Sequence, residues 1–204
     1  MAKVSEKENV VIVGGGLAGI TIARELSAKL DHSKYNLIMV EARPYLVYMI
    51  GGARMAVTTE KGAVDKYLLN YDKFFAAGKG TVKRAKVEKI TTDQNDKGGE
   101  LELSGGETIP YRGGFTPTVA VPTLIRFFAV LVLATGSKWP DLVGFPDDDA
   151  EIRQLASGWQ EKFKSAKDVV IVGGGAVGIG MYGICQGLSF CLIAHLRRTC
   201  WRAP

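Results

Sequence analysis

The run Asn9-Val10-Val11-Ile12-Val13 is continuously apolar and mostly β-branched. Continuous rather than alternating apolarity predicts a strand buried on both faces, as in a parallel sheet. Gly14-Gly15-Gly16-Leu17-Ala18-Gly19 follows, and then Ile22, Leu26 and Leu30 recur at the spacing of one helix face. Tyr35 to Val40 is a second apolar run and closes on Glu41. Strand, glycine turn, helix and strand make a βαβ unit.

The middle of the chain is less regular. Residues 58–77 read as helix and loop, and Val82 to Ile90 as one strand. Leu101–Leu103 and Thr108–Tyr111 read as a hairpin about Gly105-Gly106. Val130 to Leu133 is a further buried strand that stops at Ala134-Thr135-Gly136. Ile152, Leu155, Trp159 and Phe163 mark an amphipathic helix, with Asp147-Asp148-Asp149 as a solvated loop whose charge suits its N-terminus. The opening then recurs as Val169-Val170-Ile171-Val172-Gly173-Gly174-Gly175-Ala176-Val177-Gly178. Two widely separated copies indicate two nucleotide-binding units rather than a solenoid. Past Met181 the pattern shows no second strand for this later unit.

Composition narrows the class. The chain has 204 residues, 47% hydrophobic and 23% charged, enough for a packed core. Its 25 glycines follow no Gly-x-y period, so they belong to turns and not to a collagen helix. The excess of 26 Lys+Arg over 21 Asp+Glu is modest, and no nucleic-acid partner is expected. Cys185, Cys191 and Cys200 form neither a CxxC nor a CxxxxC pair, and His32 and His195 stand far apart. A disulfide framework, a redox dithiol and a metal site therefore find no support. The polar N-terminus lacks a secretory apolar core, so a cytoplasmic location, with membrane association as an option, is expected.

Gly14, Gly16 and Gly19 satisfy GxGxxG. The first glycine permits the tight turn, the second lets a pyrophosphate approach the backbone, and the third lets the helix pack on its strand. The helix N-terminus offers free N–H groups and the positive end of a dipole. Glu41, at the end of the second strand, can accept hydrogen bonds from ribose hydroxyls, which suits FAD or NAD better than NADP. Arg43 is either a phosphate or adenine contact or a solvated loop arginine. Gly173, Gly175 and Gly178 repeat the motif.

With an Ala134-Thr135-Gly136 strand end between them, the two fingerprints resemble the pyridine nucleotide-disulfide oxidoreductase superfamily. The stretch Val130 to Ser137, followed by Trp139-Pro140, is similar to its apoptosis-inducing-factor-like branch, which includes ferroptosis-suppressor-type quinone reductases and fungal homologues. The resemblance implies an α/β fold: a Rossmann-like FAD-binding domain with a parallel sheet and a small antiparallel excursion, over residues 1–150. The start of a second, NAD(P)-binding Rossmann domain would follow at 165–180. It implies FAD held by Gly14, Gly16, Leu17, Ala18, Gly19 and Glu41, with Arg43, Val87, Ala134, Thr135 and Gly136 nearby. It implies NADH or NADPH at Gly173, Gly175 and Gly178, and a hydride passed through flavin to a quinone-like acceptor. No catalytic acid or base and no oligomeric state follow from it.

The chain departs from that family twice. Residues 113–129 form an insert before the strand leading to Ala134, and 181–204 read as an aberrant tail, where Gly180 replaces the glutamate expected after the fingerprint. Both fit translated introns: Gly180-Met181-Tyr182 is compatible with a GTATGT splice donor, and Ala129-Val130 with a CAG acceptor. Two alternatives to a working oxidoreductase follow: an incomplete, inactive product that binds FAD weakly or not at all, and a membrane-attached protein using the apolar tail from Ile179 to Leu196.

Overall fold

The structure is a computed structural model, and it describes residues 7–58, 62–93, 98–112, 131–137, 144–185, 191–196 and 199–202. The expected insert at 113–129 lies outside the described residues. The chain divides into two compact units, one of residues 1–46 and 70–137, the other of 47–69 and 138–204. This division differs from a boundary at residue 150 by assigning 47–69 and 138–150 to the later unit.

The first unit is built on a parallel sheet. Strand β1 (Glu8–Val13) runs between β2 (Tyr35–Glu41) and the later β9 (Leu131–Leu133), with the edge strand β5 (Thr81–Arg84) beyond β2. Val11 and Ile12 are fully buried, as their unbroken apolar run requires. Helix α1 (Leu17–Lys29) returns the chain from β1 to β2. Its buried residues are Gly19, Ala23 and Ser27, whereas Ile22 and Leu26 are only half-buried. Of the expected stripe only Leu30 is buried, and within the helix the buried face is rotated by one position from Ile22 and Leu26. Small side chains face the sheet because they let the helix axis come close to it.

A second difference lies at Ala85. The single strand expected from Val82 to Ile90 is two: β5, and β6 (Val87–Thr92). Ala85 N still donates to Glu41 O in the parallel sheet at 3.0 Å, but Lys86 N donates to Ser104 Oγ at 3.0 Å. The chain leaves one sheet and enters another across this pair. There β6 joins β7 (Gly98–Leu103) and β8 (Thr108–Arg112) in an antiparallel sheet. Gly105 and Gly106 turn its hairpin with φ of +100° and +81°, the left-handed values that favour glycine. Leu101, Leu103, Ile109 and Tyr111 bury against Val11, Val13, Val40 and Leu131 of the parallel sheet.

The described residues of 58–77 hold no long helix. They contain the 3-10 turns Val64–Tyr67 and Tyr71–Phe74 and the short strand β4 (Leu68–Leu69); β3 (Leu46–Val47) pairs with β4. The segment following β4 is tied to α1, since Ala76 N donates to the fully buried Ser27 Oγ at 2.8 Å.

The later unit packs α2 (Gly52–Val57) against α3 (Asp149–Ser165) around Met55, Phe145, Ile152 and Ala156. Asp148 caps α3 by accepting from Ala150 N at 2.9 Å and Glu151 N at 3.3 Å, and Asp149 accepts from Arg153 Nε at 3.1 Å. Strand β10 (Asp168–Val172) leads through the second glycine turn into α4 (Ala176–Cys185).

The tail beyond residue 181 corrects the sequence reading. A second strand does follow: β11 (Cys191–Leu196) runs parallel to β10, and β12 (Thr199–Arg202) returns antiparallel to it. The apolar run Cys191-Leu192-Ile193-Ala194 is short enough for a strand, and parallel pairing gives its backbone partners.

Cys185 is 1% exposed, packed with Ala53, Val57, Ile171 and Met181, and burial pushes its thiol up. Native alkylation at pH 8 followed by peptide mapping should leave Cys185 unmodified until denaturant is added. Rapid labelling in the folded chain would contradict this packing.

Candidate functional site

The first glycine turn stands where the strand order reverses, with β2 on one side of β1 and β9 on the other. Ligands of open parallel sheets collect outside the carboxyl ends of the strands at such a switch point. The three glycines are needed for three different physical reasons.

Gly14 has φ +102°, and a Cβ there would stand 2.4 Å from Ala134 O. Gly19 lies over the turn so closely that a Cβ would stand 1.9 Å from Gly14 O. Gly16 differs: its φ is −69°, and a Cβ would meet nothing within 4 Å. Among the described residues the space over Gly16 is therefore left open. Gly16 is also the N-cap of α1, with no side-chain cap and no acid in the first turn. The first N–H groups of this helix thus retain their capacity for an outside acceptor. Leu17 and Ala18 are exposed beside them.

Glu41 closes this arrangement. Its Oε2 accepts from Gly15 N in a short hydrogen bond, and its Oε1 accepts from Arg43 N at 3.0 Å. The carboxylate is thereby fixed between the glycine turn and the end of β2. Ala134 N donates to Val13 O at 2.7 Å, which carries Ala134 and Thr135 directly alongside Gly14. Gly136 follows with φ +69°. The structure therefore assembles Gly14, Gly16, Leu17, Ala18, Gly19, Glu41, Arg43, Ala134 and Thr135 at one end of the parallel sheet. Val87 opens β6 and packs on the shared core of the first unit.

Sequence spacing gave no signal for Tyr71. It is 4% exposed, and its ring lies against Gly15, where a Cβ would stand 2.6 Å from the ring's Cε1. Burial first, and then the negative charge of Glu41, push its phenol upward. Tyr71 sits in a short polar and aromatic run with no periodicity, so nothing in its spacing marks it.

The second turn copies the geometry of the first. Gly173 has φ +111°, a Cβ at Gly178 would stand 2.1 Å from Gly173 O, and the space at Gly175 is open. Its surroundings differ. Among the described residues no atom lies within 4 Å of a Cβ at Gly173, where Gly14 meets Ala134. Among the described residues β10 has β11 on one side only, and Val170 and Val172 are 60% and 80% exposed. The strand ends differ as well. Val13 pairs with Val40 before Glu41, and Val172 pairs with His195 before Leu196, so Leu196 takes in β11 the place that Glu41 takes in β2. Arg197 and Arg198, next in sequence, lie outside the described residues.

A parallel sheet with a GxGxxG turn at its switch point, an acid at the next strand end and a repeated fingerprint define a dinucleotide-binding architecture. The family model for pyridine nucleotide-disulphide oxidoreductases matches residues 8–186, and the chain belongs to that family. The family is one of FAD- and NAD(P)H-dependent oxidoreductases, as the motifs implied. The chain is 36% identical over 129 residues to the FAD-dependent oxidoreductase FVFD30 of Flammulina velutipes, covering 63% of this chain and 34% of that protein. It is 30% identical over 181 residues to apoptosis-inducing factor homolog B of Dictyostelium discoideum, covering 85% and 37%. The chain thus spans about a third of the length of these curated relatives. In fold it is similar to an NAD-dependent persulfide reductase from A. fulgidus, with TM-score 0.56 and 18% identity over 91% of this chain and 33% of that one.

Proposed function

We propose that this chain carries the FAD site of an NAD(P)H-dependent oxidoreductase, with the fingerprint of its nicotinamide site. The observation that supports this most strongly is the space left open over Gly16 at the uncapped N-terminus of α1, bordered by Glu41 and Ala134. A diphosphate suits it in charge, because the helix end supplies free N–H groups and the positive end of its dipole. Backbone N–H groups at Gly16, Leu17 and Ala18 would hold the diphosphate, and Glu41 the adjacent ribose. Arg43, Val87 and the Ala134–Gly136 segment would line the rest. Bound FAD supplies an isoalloxazine that accepts a hydride, and the cofactor rather than the protein carries that chemistry.

Gly173, Gly175 and Gly178 would receive the diphosphate of NADH or NADPH. With Leu196 in the place of an acid, this site lacks the carboxylate that selects an unphosphorylated ribose. As electron acceptor we propose a small quinone-like molecule, as the resemblance to ferroptosis-suppressor-type reductases implies. Among the described residues no helix is long and apolar enough to cross a membrane.

A second reading has its own observation: among the described residues one side of β10 has no strand, and the space at Gly173 is empty where Gly14 has Ala134. On that reading these 204 residues bind FAD but do not complete hydride transfer, which needs reacting atoms about 3–3.5 Å apart. Anaerobic titration of the FAD-loaded chain with NADPH and NADH separates the two readings. A flavin band that persists without bleaching supports the second reading. Full bleaching would show a complete oxidoreductase, and failure to load flavin would sink both.

A further inference from the structure

Tyr71 is the one buried polar side chain at the first turn that the reading above leaves without a task. It begins the 3-10 turn Tyr71–Phe74, which Asn70 caps by accepting from Asp72 N at 3.2 Å. The turn is anchored under α1 through Ala76 N and Ser27 Oγ. Its phenol oxygen would stand 2.8 Å from a Cβ on Gly15, so the hydroxyl lies directly on the glycine turn. Among the described residues no hydrogen bond engages this hydroxyl, and no buried side-chain oxygen is without a partner, so the oxygen reaches solvent while the ring is covered.

We propose that Tyr71 is a ligand-positioning residue of the first site, its phenol O–H donating to a diphosphate oxygen of the nucleotide at the N-terminus of α1. This rests on the FAD reading of that site and adds a side-chain donor to its backbone amides. Gly15 lies in the turn that leads into the helix N-terminus, and its N–H donates to Glu41 Oε2, so the hydroxyl stands near both the diphosphate seat and that carboxylate. Glu41 already offers the ribose an acceptor, which leaves the phenol O–H for the diphosphate. A phenol also suits a diphosphate beside Glu41: it donates without losing its proton, because burial and that carboxylate both hold it protonated.

The test is Tyr71→Phe, which keeps the ring against Gly15 and removes only the hydroxyl. Using the full chain, FAD and ADP dissociation constants should rise about tenfold, the effect of losing one hydrogen bond to a charged group. Adenosine binding, followed by ligand-observed NMR, should not change. The thermal midpoint without ligand should match that of the unsubstituted chain, which excludes a merely structural role. Unchanged ADP affinity, or equal weakening of ADP and adenosine, would overturn the phosphate contact while leaving the FAD site in place. If the unsubstituted chain binds neither FAD nor ADP, the site reading fails and this proposal with it.

Discussion

Gly16→Val should yield a folded chain that retains no flavin. Position 16 is diagnostic because its φ of −69° is ordinary for any residue and a Cβ there meets no protein atom within 4 Å. A Cβ at position 16 therefore strikes no atom of the described residues. The cost to stability comes from the weaker helix-capping preference of valine alone, about 1 kcal/mol. It does fill the space through which a diphosphate must reach the first N–H groups of α1. Losing two or more charge-assisted hydrogen bonds there costs about 3 kcal/mol or more, over a hundredfold in affinity. Gly14 and Gly19 would not serve, since side chains at either would strike backbone at 2.4 Å and 1.9 Å and disturb the fold itself. The check is circular dichroism beside flavin absorbance of the purified variant. A folded Gly16→Val chain with its flavin intact would reduce the motif to a turn.

Glu41→Ala should weaken FAD binding by about ten- to hundredfold, the 1.5–3 kcal/mol expected for hydrogen bonds to a charged group. The carboxylate is held at both oxygens, by Gly15 N and Arg43 N. Its position does not have to be organised when the ligand arrives, and its removal also releases the Gly15 amide. Glu41→Gln keeps one carbonyl acceptor and should fall between the two. Titration of apoprotein with FAD, read by flavin fluorescence, gives the constants. Equal affinity in all three chains would remove Glu41 from the site.

Much of the site was legible because its signals are local. The glycine spacing and the β-branched run before it dictate a turn and a strand, and Glu41 follows from the length of the next strand. Ala134 was readable only through family resemblance, as its approach to Gly14 depends on β9 pairing with β1 across more than half the chain. Where the sequence reading erred, tertiary packing decided. The buried face of α1 is Gly19, Ala23 and Ser27 because close approach to the sheet outweighs side-chain hydrophobicity. The split at Ala85 depends on Ser104, a partner distant in sequence that supplies the hydrogen bonds for a change of sheet. In the tail, β11 is made a strand by pairing with β10, which apolar composition alone could not distinguish from a helix. Tyr71 is the clearest omission: its importance lies in contact with Gly15, and contact has no period.

The most direct measurement is the flavin content of the 204-residue chain after saturation with FAD and gel filtration, beside its ADP competition curve. The account predicts one FAD per chain, displaced by excess ADP because both share the diphosphate seat at the first turn. A folded chain that emerges without flavin, or one whose flavin ADP cannot displace, would contradict it.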